Sequence, residues 1–156
     1  MNEYVGKMVD LVLEANSLAT LLNSRTCRKY SLDAELKRLG YVRYKCEGDD
    51  CDRHVFIGDK LVVKIDNPES KHYFGNQTHT EWETWKRFRR KYSDFLATIF
   101  WHGRIRGREA IIMEKLDGDT EFDEPFNDLL AKSLGLHEVQ TIKASENSIK
   151  AVDYGF

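Results

Sequence analysis

The span from Tyr41 to Ile65 constrains the fold most, because it reads as three short strands, the first alternating with a period of two, separated by turn residues. Tyr41-Val-Arg-Tyr44 reads as a first strand and His54-Val-Phe-Ile57 as a second, separated by an acidic turn from Glu47 to Asp52. Gly58-Asp59-Lys60 is a hairpin signal, and Leu61-Val-Val-Lys-Ile65 follows it as a third strand. Three strands joined this closely pair antiparallel.

The rest of the chain arranges itself around that sheet. Upstream, apolar residues recur at helical spacing from Met8 to Leu22, and a second helix, Leu32 to Leu39, has Ser31 as N-cap and Gly40 as stop. Downstream, a loop containing Pro68 and Gly75 precedes a helix from Thr78 to about Tyr92. Strands Ala97–Trp101 and Ala110–Met113 are joined by a glycine-bearing turn, His102 to Arg108. A polar linker with Pro125 leads to a helix over Phe126–Leu134, and Val139–Lys143 and Ser148–Val152 form a hairpin turning at Ala144 to Asn147.

Composition excludes several classes of function. The 156 residues suit a single domain, and the formal charge of −2 gives no global attraction to nucleic acid or an anionic membrane. No apolar run approaches the roughly 18 residues that a membrane span needs, and Met1 to Asp10 does not read as a signal peptide. Three cysteines, an odd number, make no disulfide framework and point to free thiols in a reducing cytoplasm.

Three strands, a helix and two more strands is an order that resembles the N-lobe of protein kinases, and four places make the resemblance specific. Leu61-Val-Val-Lys64 resembles the kinase lysine strand, which implies that Lys64 pairs with nucleotide phosphates. Glu81, on the following helix within Gly75-Asn-Gln-Thr-His-Thr-Glu81, is the implied partner of that lysine. Ile111-Ile-Met-Glu-Lys-Leu116 is similar to the adenine-contacting strand and hinge, which makes Glu114 a nucleotide-binding candidate. Val152-Asp-Tyr-Gly-Phe156 resembles the Asp-Phe-Gly metal motif, with Asp153 as Mg²⁺ ligand. The implied cofactors are ATP and Mg²⁺, since phosphoryl transfer rests on positioning and charge neutralisation. Read singly, each feature has a plainer role: a snorkelling lysine, a Thr78–Glu81 capping box and a common Asp-Tyr-Gly turn.

The pattern also departs from the family. Where kinases have a glycine-rich loop, this chain reads Cys46-Glu-Gly-Asp-Asp-Cys-Asp-Arg-His54, whose acids repel a triphosphate unless metal or Arg53 compensates. Counting back from Asp153 puts Gln140, a possible metal ligand, where the catalytic-loop asparagine belongs, and Gly135 where the base belongs. A glycine accepts no proton, and His137 or Glu138 acts as base only in a shifted register. With the motif at Asp153 to Phe156, no helical platform for a peptide substrate is expected.

The expectation is an α+β fold in three parts. Residues 1–40 are an N-terminal helical extension, 41–117 a kinase-like N-lobe with a five-stranded antiparallel sheet and one packed helix, and 118–156 a minimal C-lobe remnant, all in one compact unit. The leading function is a pseudokinase, a phage-encoded regulator or inhibitor that binds a protein partner in the host cytoplasm and retains Mg-ATP. One alternative is an atypical phosphotransferase using Glu138 or His137. Another is a nucleotide-free binding module whose contact surface is the basic run Lys86-Arg-Phe-Arg-Arg-Lys91, with Arg104, Arg106 and Arg108 beside it. That run also suits a solvated helix end, and nucleic acid stays open as its partner. Cys46, Cys51 and His54, with Cys27, are a weaker zinc constellation, for which free thiols are the simpler reading.

Overall fold

A computed structural model describes residues 3–44, 51–71, 75, 77–117, 124–136, 139–145 and 148–153. The chain forms two compact units, one of Met1–Gly75 and Ile99–Lys115, the other of Asn76–Thr98 and Leu116–Phe156.

The first unit contains helices α1 (Glu3–Asn23) and α2 (Leu32–Arg38), with a short 3₁₀ turn at Cys27–Lys29 between them. Its strands are β1 (Val42–Tyr44), β2 (Arg53–Ile57), β3 (Leu61–Asp66), β4 (Ile99–Ile105) and β5 (Arg108–Glu114). They form one antiparallel sheet in the order β1-β2-β3-β5-β4.

Period-two alternation fixes the two faces of the sheet. Phe56, Leu61, Val63, Ile65, Ala110 and Ile112 join Ala15, Leu18, Ala19 and Leu22 of α1 and Leu32 and Leu36 of α2 in one buried core. The helices form where their caps allow. The Ser31 side chain accepts a hydrogen bond from the Ala34 amide at 3.1 Å. At the other end of α2, Gly40 takes φ +93 while its amide and that of Tyr41 donate to Lys37 and Leu36, a Schellman stop.

The turn between β4 and β5 is tighter than its composition suggests. It consists of Arg106 and Gly107, both at positive φ (52 and 80), as a twisted two-residue hairpin demands. The expected wide turn from His102 to Arg108 is therefore replaced by strand, and Gly103 lies inside β4. Trp101 explains this glycine: a Cβ at position 103 would come within 2.6 Å of its ring.

The second unit holds α3 (Gln77–Phe88), α4 (Glu124–Leu134) and the hairpin β6 (Gln140–Ser145) and β7 (Ser148–Asp153). Helix α3 stops at Phe88, short of the expected Tyr92, and continues in turns. Leu96 bridges Ala151 in parallel, with the Ala97 amide on the Ala151 carbonyl at 2.9 Å and the Ala151 amide on that of Phe95 at 2.7 Å. The Phe95 and Phe126 rings meet at 5.9 Å, which ties the same segment to α4. Among the described residues no helix is long and apolar enough to cross a membrane.

Candidate functional site

In the first unit the site begins with Lys64. Strand β3 turns Leu61, Val63 and Ile65 to the helix-covered face, so Val62, Lys64 and Asp66 lie on the other. The register sets Lys64 between Val55 of β2 and Ile111 of β5, with His102 of β4 next beyond Ile111. Val62 sits between Ile57 and Met113 in the neighbouring row. Lys64 is 5% exposed and Ile111 and Met113 are buried, whereas Val55, Ile57 and Val62 are partly open. A half-open apolar strip ending at an ammonium suits a flat base with phosphates beyond it. Glu114 is the Cα partner of Leu61, so its side of β5 is opposite to that of Lys64. Arg53, offered above as compensation for the acidic loop, is buried in β2 opposite Asp66.

One pair on this sheet escapes a reading of the sequence. His102 Nε2 lies 2.9 Å from Glu109 Oε1, each side chain 23% exposed. The two are diagonal neighbours across β4 and β5. A turn placed over His102 to Arg108 hides them, and only the two-residue Arg106-Gly107 turn reveals the pairing.

In the second unit, Glu81 of α3 is fully buried along with Thr78. Because the helix begins at Gln77, Thr78 lies inside it, and the capping-box account of Glu81 no longer applies. Gln140 and Asp153 are direct Cα partners at the open end of the β6–β7 hairpin. The register shifts beside them: Thr141 pairs with Ala151, which leaves Val152 as a bulge that re-aims Asp153. Two anchors hold this end in place. Thr141 Oγ1 donates to Asn127 Oδ1 of α4 at 2.7 Å, and Ala151 is held by the segment at Phe95–Ala97.

Among the described residues no group of three or more His, Cys, Asp or Glu stands ready for a metal. A neighbouring carboxylate and amide oxygen still fit Mg²⁺, which keeps several waters and takes phosphate oxygens beside one or two protein ligands. Lys64, Glu81 and Asp153 all have further polar or electrostatic partners.

Gly135, expected from the kinase resemblance at the base position, has a backbone role. Gly135 takes φ +70 just after α4, its amide donating to Lys132 and that of Leu136 to Ala131. It is a helix-terminating glycine. His137, Glu138, Cys46 to Asp50 of the acidic loop and Tyr154 to Phe156 lie outside the described residues.

The zinc and thiol readings change. Cys51 is disulfide-bonded rather than free. Cys27 is a buried free thiol whose Sγ donates to Glu35 Oε2 at 3.0 Å, and that contact with burial pushes its pKa up. His54 is held below the usual histidine range by burial first, then by Arg43 and Arg108.

The turn arginines are also committed locally. Arg106 donates to the carbonyls of Leu22, Tyr30 and Cys27 at 3.1, 2.7 and 2.8 Å. Arg104 donates to Gly107 and Arg108 to the Asp66 carbonyl.

No protein-family model and no curated protein matches this chain. Two solved structures resemble it. One is WbdD crystallised with the kinase inhibitor LY294002, at 18% identity and a TM-score of 0.43, covering 67% of this chain and 30% of that one. The other is the bifunctional kinase-methyltransferase WbdD, at 16% and 0.40, covering 67% and 29%. The chain thus spans under a third of the proteins it matches, and likeness at this level decides nothing about its chemistry.

Proposed function

We propose that this chain is a kinase-like regulatory protein that binds Mg-ATP and acts through a protein partner, without phosphoryl transfer by the ordinary route. By motif order, Lys64 is assigned to the phosphates, Glu81 to the support of that lysine, and Asp153 with Gln140 to the metal. The bound ion would neutralise phosphate charge.

The observation that supports this most is the β6–β7 register. Two residues thirteen positions apart, chosen from motif order as metal ligands, stand directly opposite one another, with a bulge beside the aspartate. The adjacency of β3 and β5 adds to it, because the lysine strand lies against the strand read as adenine-contacting. Helix termination at Gly135 supports the loss of turnover: the residue there has a structural task and no proton-accepting side chain. A nucleotide held without turnover works by stabilising one conformation, which a partner then reads.

The experiment is a thermal melt with and without ATP and Mg²⁺. Ligand at about a hundred times its dissociation constant adds roughly 2.7 kcal/mol to stability. The wild-type chain should show a metal-dependent rise in Tm that Lys64→Ala abolishes. A rise that survives Lys64→Ala would overturn the assignment of the pocket.

A further inference from the structure

The outer face of α3 has no task in nucleotide binding, and its charge is unbalanced. Lys86, Arg87, Arg89, Arg90 and Lys91 are all exposed. The backbone keeps helical bonding past the end of α3, with the Arg89 amide on Trp85 and the Tyr92 amide on Phe88, both at 2.9 Å. Lys86 and Arg90 are therefore one turn apart on one side, and so are Arg87 and Lys91. The buried residues Thr78, Glu81 and Trp85 mark the side opposite Arg87 and Arg90, while Arg89 continues the line of Trp85 one turn on.

Like charges at this spacing disfavour a helix, and a protein that only needs a soluble helix end intersperses acids. Here the one described acidic partner is Glu83, 2.8 Å from Lys86. Among the described residues, no carboxylate pairs with Arg87, Arg89, Arg90 or Lys91. Arg87 and Lys91 instead lie over the rings of Phe88 and Tyr92, at 5.1 and 5.3 Å, which holds them at the surface.

We infer that this face binds the phosphate backbone of a nucleic acid. The kind of partner follows from what the face lacks. A protein–protein interface has an apolar centre depleted in charge, with arginine the one cation it favours. No large hydrophobic residue from Gln77 to Lys91 is exposed. A phosphate backbone needs no apolar centre: cations release its condensed counterions, and arginine offers forked donors to each phosphate. The contact reads backbone rather than sequence, since nothing here is shaped to reach base edges. This inference stands apart from the nucleotide reading, which uses other residues.

Fluorescence anisotropy of a fluorescein-labelled 20-base-pair DNA and of its single strand tests it across a salt series. Three to four phosphate contacts weaken duplex binding by on the order of 40- to 150-fold between about 50 and 200 mM salt. The triple variant Arg87→Glu/Arg90→Glu/Lys91→Glu should lose binding to both probes, with its melting temperature checked by circular dichroism. The milder Arg87→Gln/Arg90→Gln/Lys91→Gln variant should show an intermediate loss and a shallower salt slope. Absence of binding, or binding that either variant leaves unchanged, overturns the proposal. Tighter, variant-sensitive binding of polyglutamate than of either oligonucleotide overturns it too, in favour of an acidic protein.

Discussion

At position 58, between β2 and β3, a side chain has no room: a Cβ there would lie 2.6 Å from Cε1 of the Tyr41 ring. The ring is packed tightly enough that burial, with Glu14 and Asp59 nearby, pushes its phenol up to about 12. Gly58→Ala should therefore cost about 1–3 kcal/mol in urea denaturation, and less when Tyr41 is shortened to Leu in the same chain. Composition gave Gly58 as a hairpin residue, but only packing shows that a ring, not backbone conformation, requires it. Glu35 makes a second prediction. Arg38 hydrogen-bonds to its carboxylate at 2.9 Å and the Cys27 thiol donates to the same oxygen, so its pKa is lowered despite burial. The folded chain thus binds this proton less readily than the unfolded chain. The resulting stabilisation is full above the ordinary Glu value of 4.5 and is lost as pH falls through the folded-state value. Urea titrations from about pH 6 to about pH 3 should show a steeper loss of stability for wild type than for Glu35→Gln.

Arg106 joins two elements with one side chain, because its guanidinium satisfies carbonyls of Leu22, Cys27 and Tyr30 where α1 ends and the 3₁₀ turn follows. Asn23 completes the joint, accepting from the Arg106 amide at 2.8 Å and donating to the Arg104 carbonyl at 2.9 Å. Arg106→Ala should cost at least about 2 kcal/mol, since bonds to a charged group are among the stronger ones. Tryptic cleavage after Arg25 and Arg28 should speed up in that variant as the segment opens locally. Arg106→Lys should recover little, having one ammonium for three divergent acceptors. At this scale much was legible. The Ser31 cap, the Gly40 stop and the Gly58-Asp59-Lys60 turn each follow from local chemistry, and their elements fall where that chemistry puts them. The β4–β5 turn was not legible, because Gly103 looks like a turn residue until Trp101 lies over it, and arginine is a rare choice at positive φ. Three carbonyl partners, none near Arg106 in sequence, stabilise that choice.

For the whole molecule, the candidate site was legible as an order of motifs and illegible as geometry. Spacing selected Gln140 and Asp153, yet their pairing depends on a bulge at Val152 that no local signal announces. The resemblance to a hinge strand also proposed Glu114, and strand alternation sets it on the side opposite to Lys64. If Asp153 holds the metal, Asp153→Ala should remove the Mg²⁺ dependence of the Tm shift produced by ATP, while Gln140→Ala should weaken that dependence only in part. Titrating metal at fixed ATP separates the two. The shared interior of α1, α2 and the sheet has a consequence for descent. Six of the thirteen buried residues in that cluster come from the two helices, ahead of any residue that could touch a nucleotide. A gene segment encoding only the strands would inherit half an interior, exposing Phe56, Val63 and Ile112 to water. Recombination that separates the helices from the sheet is thus purged at folding, before selection can act on whatever the site does.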